Sequence, residues 1–186
     1  VTCQAGEQQA TAIIAGGHTT FVFVQKNETV LLDNRTPAAQ EESRDAIQLT
    51  LRKVYDFAEE VELEKIEFIG ETAQRNVAAA ELSFTGNYGH GLGAMLHSGV
   101  AKNIFGDTLF TNILAHTSGA CDARMSGAMV PVMSNSGSGN QGISATVPVV
   151  VFGRAHGASR EELLRALTLS HLTVIYIKLS LGRLSA

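Results

Sequence analysis

The fold turns on one segment, Gln141-Gly142-Ile143-Ser144-Ala145-Thr146-Val147-Pro148-Val149-Val150-Val151-Phe152. Its valines suit a buried strand, because β-branched side chains pack well on a pleated surface. A buried helix is equally apolar, and periodicity alone cannot assign so short an apolar run. Both readings stay open on the residues alone.

The sequence on either side favours helix. Downstream, Ser159-Arg160-Glu161-Glu162 is a capping box, and Leu163, Leu167, Ser170, His171 and Val174 continue one helical face. Upstream, Thr108 to His116 predicts a helix, and the alanine-rich Glu71 to Leu82 predicts another. Between these two, Gly86 to Gly93 holds four glycines, which predicts a flexible or close-packed turn. Further upstream, Ser43 is an N-cap candidate, followed by Ile47, Leu51, Val54, Tyr55 and Ala58 at the spacing of a buried helical stripe.

The first third reads as β. Ala10 to Ile14 is apolar, Gly16-Gly17 signals a turn, and Thr19 to Val24 is rich in β-branched and aromatic residues. Lys26-Asn27-Glu28 predicts a hairpin loop, with Thr29 to Leu32 as the return strand. Asn34 to Glu42 is a polar connector containing Pro37. The composition shift near Asn34 is the best domain boundary. The expected fold class is therefore α+β: residues 1–34 form part of a small β-containing domain, and residues 35–186 form a mostly helical domain, incomplete at its C-terminus.

A net charge of −4, with no run of lysines and arginines, argues against nucleic acid or an anionic membrane as partner. With 45% hydrophobic and 17% charged residues, the composition is that of a folded domain and not of a disordered chain. Two cysteines, Cys3 and Cys121, are too few for a disulfide scaffold and point to a reducing, cytoplasmic setting. The longest apolar stretch, Leu167 to Leu184, is interrupted by Ser170, His171, Lys178 and Arg183, so no membrane span is expected. Both ends read as cut, which predicts a piece of a longer protein.

The strongest chemical feature is Ser134-Asn135-Ser136-Gly137-Ser138-Gly139-Asn140-Gln141-Gly142, with three hydroxyls, three carboxamides and three glycines. Glycines let a backbone approach a ligand, and exposed amides and hydroxyls hold a carboxylate or phosphate. A solvated Ser/Gly linker is the bland alternative, but tightly flanking apolar segments favour a binding loop. The spacing matches neither a Walker A loop nor a dinucleotide fingerprint. Just upstream, Cys121-Asp122-Ala123-Arg124 places a thiol beside an arginine, which can lower its pKa and suit a metal ligand or nucleophile. A small core cysteine, with Asp122 and Arg124 as an ion pair tying two helices together, is the structural alternative. Among the histidines, His18 after the Gly16-Gly17 turn, His90 between glycines and His171 on an apolar helical face are the catalytic candidates. No zinc spacing and no supported nucleophile elbow occur.

Gly119-Ala120-Cys121-Asp122-Ala123-Arg124-Met125 and Pro131-Val132-Met133 followed by Ser134 to Gly142 resemble the core of the L-cysteine desulfidase family. That family is similar in turn to the α chain of bacterial iron–sulfur L-serine dehydratases. The likeness continues through Leu169-Ser170-His171-Leu172 to Arg183-Leu184-Ser185-Ala186, includes Gly16-Gly17-His18-Thr19, and is weak between Asn34 and Phe105.

The resemblance implies that Gln141 to Phe152 is helical. It also implies a [4Fe–4S] cluster with Cys121 as one ligand and the others toward the C-terminus, beyond Ala186. Cys3 matches no family motif. Ser134, Asn135, Ser136, Gly137, Ser138, Gly139, Asn140 and Arg124 would bind substrate, with Asn135 and Asn140 within reach of its amino group. The implied reaction is α,β-elimination on L-cysteine, giving pyruvate, ammonia and sulfide, in a homo-oligomer. L-serine as the substrate is the first alternative. A non-catalytic amino-acid-binding module or a structural oligomerisation domain are the others, and the last leaves the Gly/Ser loop unexplained. This chain alone is expected to be inactive as a lyase.

Overall fold

The computed structural model describes residues 1–15, 20–35 and 48–181. It is α+β, and the chain divides into two compact units, Val1–Gln48 and Leu49–Ser180. Ser43, Ile47 and the Gly16-Gly17-His18-Thr19 turn lie outside the described residues.

The first unit holds an antiparallel meander of β1 (Thr2–Ala5), β2 (Gln8–Ile14), β3 (Phe21–Lys26) and β4 (Thr29–Asp33), paired in chain order. The β3–β4 hairpin turns at Asn27-Glu28, as the sequence predicts. Asn27 adopts a φ of 51°, a conformation asparagine tolerates better than most residues. Its side-chain oxygen accepts the Gln9 N–H at 2.8 Å, which ties the turn to β2. Phe23 is the buried hydrophobic residue of this sheet, with the Arg35 guanidinium 3.8 Å above its ring.

The second unit is helical. Its elements are α1 (Leu51–Glu60), α2 (Leu63–Ile66), α3 (Ile69–Thr85), α4 (Leu92–His97), α5 (Gly99–Phe105), α6 (Leu109–Met125), α7 (Gly139–Ala155) and α8 (Arg160–Leu181). Among the described residues no helix is long and apolar enough to cross a membrane.

The valine-rich segment lies inside α7. Most of its buried positions recur with the helical period, Gly139, Gly142, Ile143, Thr146, Val147, Val150 and Val151, and Ala145 and Gly153 are buried beside them. Neighbours cover more than one side of it. Val150 joins a core with Ile69, Val77 and Leu167, while Ile143, Val147 and Val151 join a second core with Ala79, Ala80 and Ala120. Burial on several faces explains why the segment shows no amphipathic alternation that could have separated helix from strand.

Side chains close the helix ends. Thr50 caps α1 by accepting the Lys53 N–H, so this helix starts seven residues after the Ser43 expected from sequence. Of the predicted stripe Val54 and Ala58 are buried, whereas Leu51 and Tyr55 remain exposed. The capping box before α8 forms as predicted: Ser159 Oγ accepts the Glu162 N–H at 3.2 Å, and the Glu162 carboxylate accepts the Ser159 N–H at 2.8 Å. The helix predicted over Thr108 to His116 runs on to Met125, which places Cys121 and Arg124 one turn apart on it. Close packing at Gly93 and Gly119 brings α4 onto α6. A Cβ on Gly93 would collide with the Gly119 backbone, and one on Gly119 would collide with the Ser83 hydroxyl of α3.

Candidate active site

The Gly/Ser segment is a tight turn leading into α7. The Asn135 N–H donates to the Ser138 carbonyl at 3.0 Å, and the Ser138 N–H donates back to the Asn135 carbonyl at 2.9 Å. The two residues between them, Ser136 and Gly137, have φ values of 49° and 81°, the left-handed pair of a type I′ turn. Ser138 caps α7 by accepting the Gln141 N–H at 3.4 Å. The first turn of α7 therefore directs backbone N–H groups and the positive end of its dipole toward the turn. Gly142 is required one turn on, because a Cβ there would collide with the Met133 carbonyl and lie 2.8 Å from Ser134 Cα.

A buried hydrogen-bond chain fastens this turn to three helices. Asn76 of α3, with no exposed surface, accepts the Met133 N–H at 2.8 Å and donates to the Met133 carbonyl at 3.2 Å and to Thr146 Oγ1 at 3.1 Å. Thr146 Oγ1 donates to the Gly142 carbonyl at 2.7 Å and lies 2.9 Å from His171 Nε2. Asn135 Nδ2 lies 3.0 Å from His171 Nδ1 and donates to the His171 carbonyl at 3.0 Å. The Ser136 hydroxyl donates to Asn135 Oδ1 at 2.7 Å. His171 is 7% exposed, and its burial holds its pKa below the ordinary histidine value.

The predicted site residues thus separate by environment. Asn135 is buried, and both hydrogens of its Nδ2 are engaged by His171 while its Oδ1 accepts the Ser136 hydroxyl, which leaves that oxygen one further lone pair at the pocket it helps to line. Ser134 and Gly137 are exposed, while Ser136 and Asn140 are half-buried. Ser134, Ser136 and His171 line one end of a pocket of about 400 Å³, walled on its other sides by apolar residues such as Ile66, Phe68 and Ile175. A larger groove of about 710 Å³, lined by Pro148, Phe152, Leu163, His156 and Glu162, includes no residue of the turn. The smaller pocket is the one that the Ser134–Ser136 turn and His171 line, which favours it as the ligand site.

Cys121 and its neighbours differ from the sequence expectation. Cys121 is half-buried against the second core, and burial raises its thiol pKa. Arg124 pulls the other way and Asp122 adds to the rise, so the expected lowering by arginine does not win. The reason is that burial outweighs the pull of the guanidinium. Arg124 Nη1 donates to Asn140 Oδ1 at 3.0 Å, and the side chain fills the space where Gly139 lacks a Cβ.

Asp122 and Arg124 form no ion pair with each other. The Asp122 carboxylate accepts the N–H groups of His90 at 3.2 Å and Gly93 at 3.1 Å, capping α4 from outside. His90 is exposed, and His18 lies outside the described residues.

The thiol of Cys121 fits one ligand of a cluster and no more. Among the described residues no three His, Cys, Asp or Glu side chains converge as a metal site. Among the described residues two buried side-chain oxygens lack a hydrogen-bond partner: Thr117 Oγ1, one turn before Cys121 on α6, and Gln141 Oε1 in the first turn of α7. Sequence reasoning missed Asn76 and Thr146. The available signal was an asparagine amid the alanines of α3 and a threonine amid the valines of α7, since buried polar groups are there to be hydrogen-bonded.

Comparison with known proteins places these features in a family. The family model described as serine dehydratase alpha chain matches residues 5–186. A UPF0597 protein of Bacteroides fragilis is 63% identical over 186 residues, all of this chain and 44% of the relative. A UPF0597 protein of Bacteroides thetaiotaomicron is 62% identical over the same length, 43% of that relative, and one of Porphyromonas gingivalis is 47% identical over 192 residues, 44% of that relative. The chain thus spans under half the length of these curated relatives. No solved structure matches. The chain belongs to the serine dehydratase alpha chain family.

Proposed function

We propose that the whole protein carries out α,β-elimination on a small L-amino acid with a heteroatom on Cβ, giving pyruvate and ammonia. The observation that carries this reading is the turn itself: a backbone held in a left-handed form by a buried side-chain network, opening into a helix N-terminus beside Arg124. The amides of Gly139 and Asn140, with the Arg124 charge, would hold the substrate carboxylate. Ser134 and Ser136 would face the amino group. Holding both groups sets the Cα–H bond and the leaving group in line, where orientation lowers the barrier most.

Cys121 would be one ligand of a [4Fe–4S] cluster, whose other ligands would lie in the length of the relatives that this chain does not span. When bound, the cluster would supply a Lewis acid for the leaving group. The family description favours L-serine as first substrate, and L-cysteine, the substrate implied by the local motif, is the second. A homo-oligomer in a reducing cytoplasm belongs to the same proposal.

The test is anaerobic reconstitution of the whole protein, with iron, sulfide and pyruvate measured for both substrates. The expected result is iron-dependent pyruvate formation, abolished together with the visible absorbance by Cys121→Ser. Iron-loaded protein that forms no pyruvate from either amino acid would refute the lyase. Amino-acid affinity retained in the iron-free Cys121→Ser variant, without turnover in the native protein, would favour the binding module.

A further inference from the structure

We infer that His171 is a positioning residue, a neutral imidazole protonated on Nε2, and that the chain it belongs to directs every proton so that Ser136 presents lone pairs to the pocket. The assignment follows from counting hydrogens. The single hydroxyl hydrogen of Thr146 is committed to the Gly142 carbonyl, so Thr146 Oγ1 accepts from both Asn76 Nδ2 and His171 Nε2. His171 Nε2 therefore carries the proton, and Nδ1 is bare.

The bare Nδ1 accepts one hydrogen of Asn135 Nδ2, while the other goes to the His171 carbonyl. A flipped Asn135 amide would set oxygen against that carbonyl oxygen, so the backbone of α8 fixes the amide and the amide fixes the tautomer. Asn135 Oδ1 then takes the Ser136 hydroxyl hydrogen. What remains free on Ser136 Oγ, at the edge of the 400 Å³ pocket, is acceptor capacity. That matches a ligand ammonium and disfavours a carboxylate, which would need the hydrogen already spent. Burial of His171 acts in the same direction, since it disfavours the imidazolium.

The inference deepens the lyase reading by giving Ser136 the amino group, and it rests on that reading only in its kinetic arm. The spectroscopic arm is a long-range ¹H–¹⁵N spectrum of the whole protein labelled in histidine, at neutral pH. The expected result for His171 is a protonated Nε2 and a bare Nδ1. An Nδ1–H tautomer or an imidazolium would overturn the inference.

The kinetic arm compares His171→Asn, which keeps an acceptor near the Nδ1 position, with His171→Gln, which keeps a donor near the Nε2 position but leaves one Asn135 Nδ2 hydrogen without its acceptor. The positioning role predicts that His171→Gln raises KM for L-serine about tenfold with kcat within about threefold, and that His171→Asn stays within about threefold in both. Equal, large losses of kcat in the two variants would show a proton-transfer role and sink the inference. The expected tautomer in a protein that turns over neither serine nor cysteine would remove the lyase reading and leave the proton ordering standing.

Discussion

Replacing Asn76 with alanine tests the network at its root. Asn76 makes three hydrogen bonds, two to the Met133 backbone at 2.8 and 3.2 Å and one to Thr146 at 3.1 Å, from a site with no exposed surface. At about 1 kcal/mol net for each bond, their loss costs about 3 kcal/mol. The void left by the side chain adds roughly 1 kcal/mol, because closely packed helices collapse only in part around it. A loss of about 4 kcal/mol is a large share of the 5–15 kcal/mol typical of a domain, and corresponds to a fall in Tm of about 8–16 °C at this chain length. Urea and thermal melts followed by the helical circular dichroism signal read it directly. Gln74→Ala, an exposed position on the same helix, is the control and is expected within about 0.5 kcal/mol of wild type. Hydrogen exchange adds a local readout, since freeing Met133 releases the extended segment that leads into the turn and the Asn135 and Ser138 amides lose protection. An Asn76→Ala protein within about 1 kcal/mol of wild type, with unchanged exchange at the turn, would refute the view that this chain holds it.

Three further outcomes are expected. The folded-state pKa of His171 is depressed, so its contribution to stability is complete above the unfolded value near 6.5; as the pH falls below that, the unfolded state takes up the proton first and stability is lost toward the lower folded pKa. Urea melts from pH 8 to pH 5.5 should show a shallower decline for His171→Asn, and an equal decline would contradict this. Gly142→Ala drives a Cβ into the Met133 carbonyl and toward Ser134 Cα, both backbone, and is expected to cost about 1–3 kcal/mol in a thermal melt; an unchanged Tm would mean that the turn and α7 yield freely. Asp122→Ala leaves the His90 and Gly93 amides without their acceptor and is expected to cost about 1 kcal/mol and to speed proteolysis within 86–93, a result that unchanged digestion would exclude.

Much of the fold was legible because it is written in short-range chemistry. The capping box at Ser159, the Asn27 turn and the alanine-rich α3 each rest on interactions within a few residues, and each stands where the sequence placed it. The boundary of α1 was not legible, since both Ser43 and Thr50 are competent caps and only the folded chain selects Thr50. The candidate site was legible as a location and not as a set of roles. The glycines and hydroxyls of Ser134 to Gly142 marked a binding loop between apolar segments, and the structure gives that stretch as a tight turn entering α7.

The sequence by itself determined the α+β class, the Asn27 hairpin turn and the capping box that starts α8. Only the tertiary structure decided which face of each polar residue is spent. Asn135 meets a histidine 36 residues away, and Asn76 reaches partners 57 and 70 residues away, across helices whose contacts no local pattern encodes. The same packing turned Arg124 toward Asn140, sent Asp122 to the end of α4 and let burial raise the Cys121 pKa. Local propensity fixes where a chain bends. The direction of a hydrogen bond and the charge of a buried group depend on what the rest of the chain brings within 3 Å.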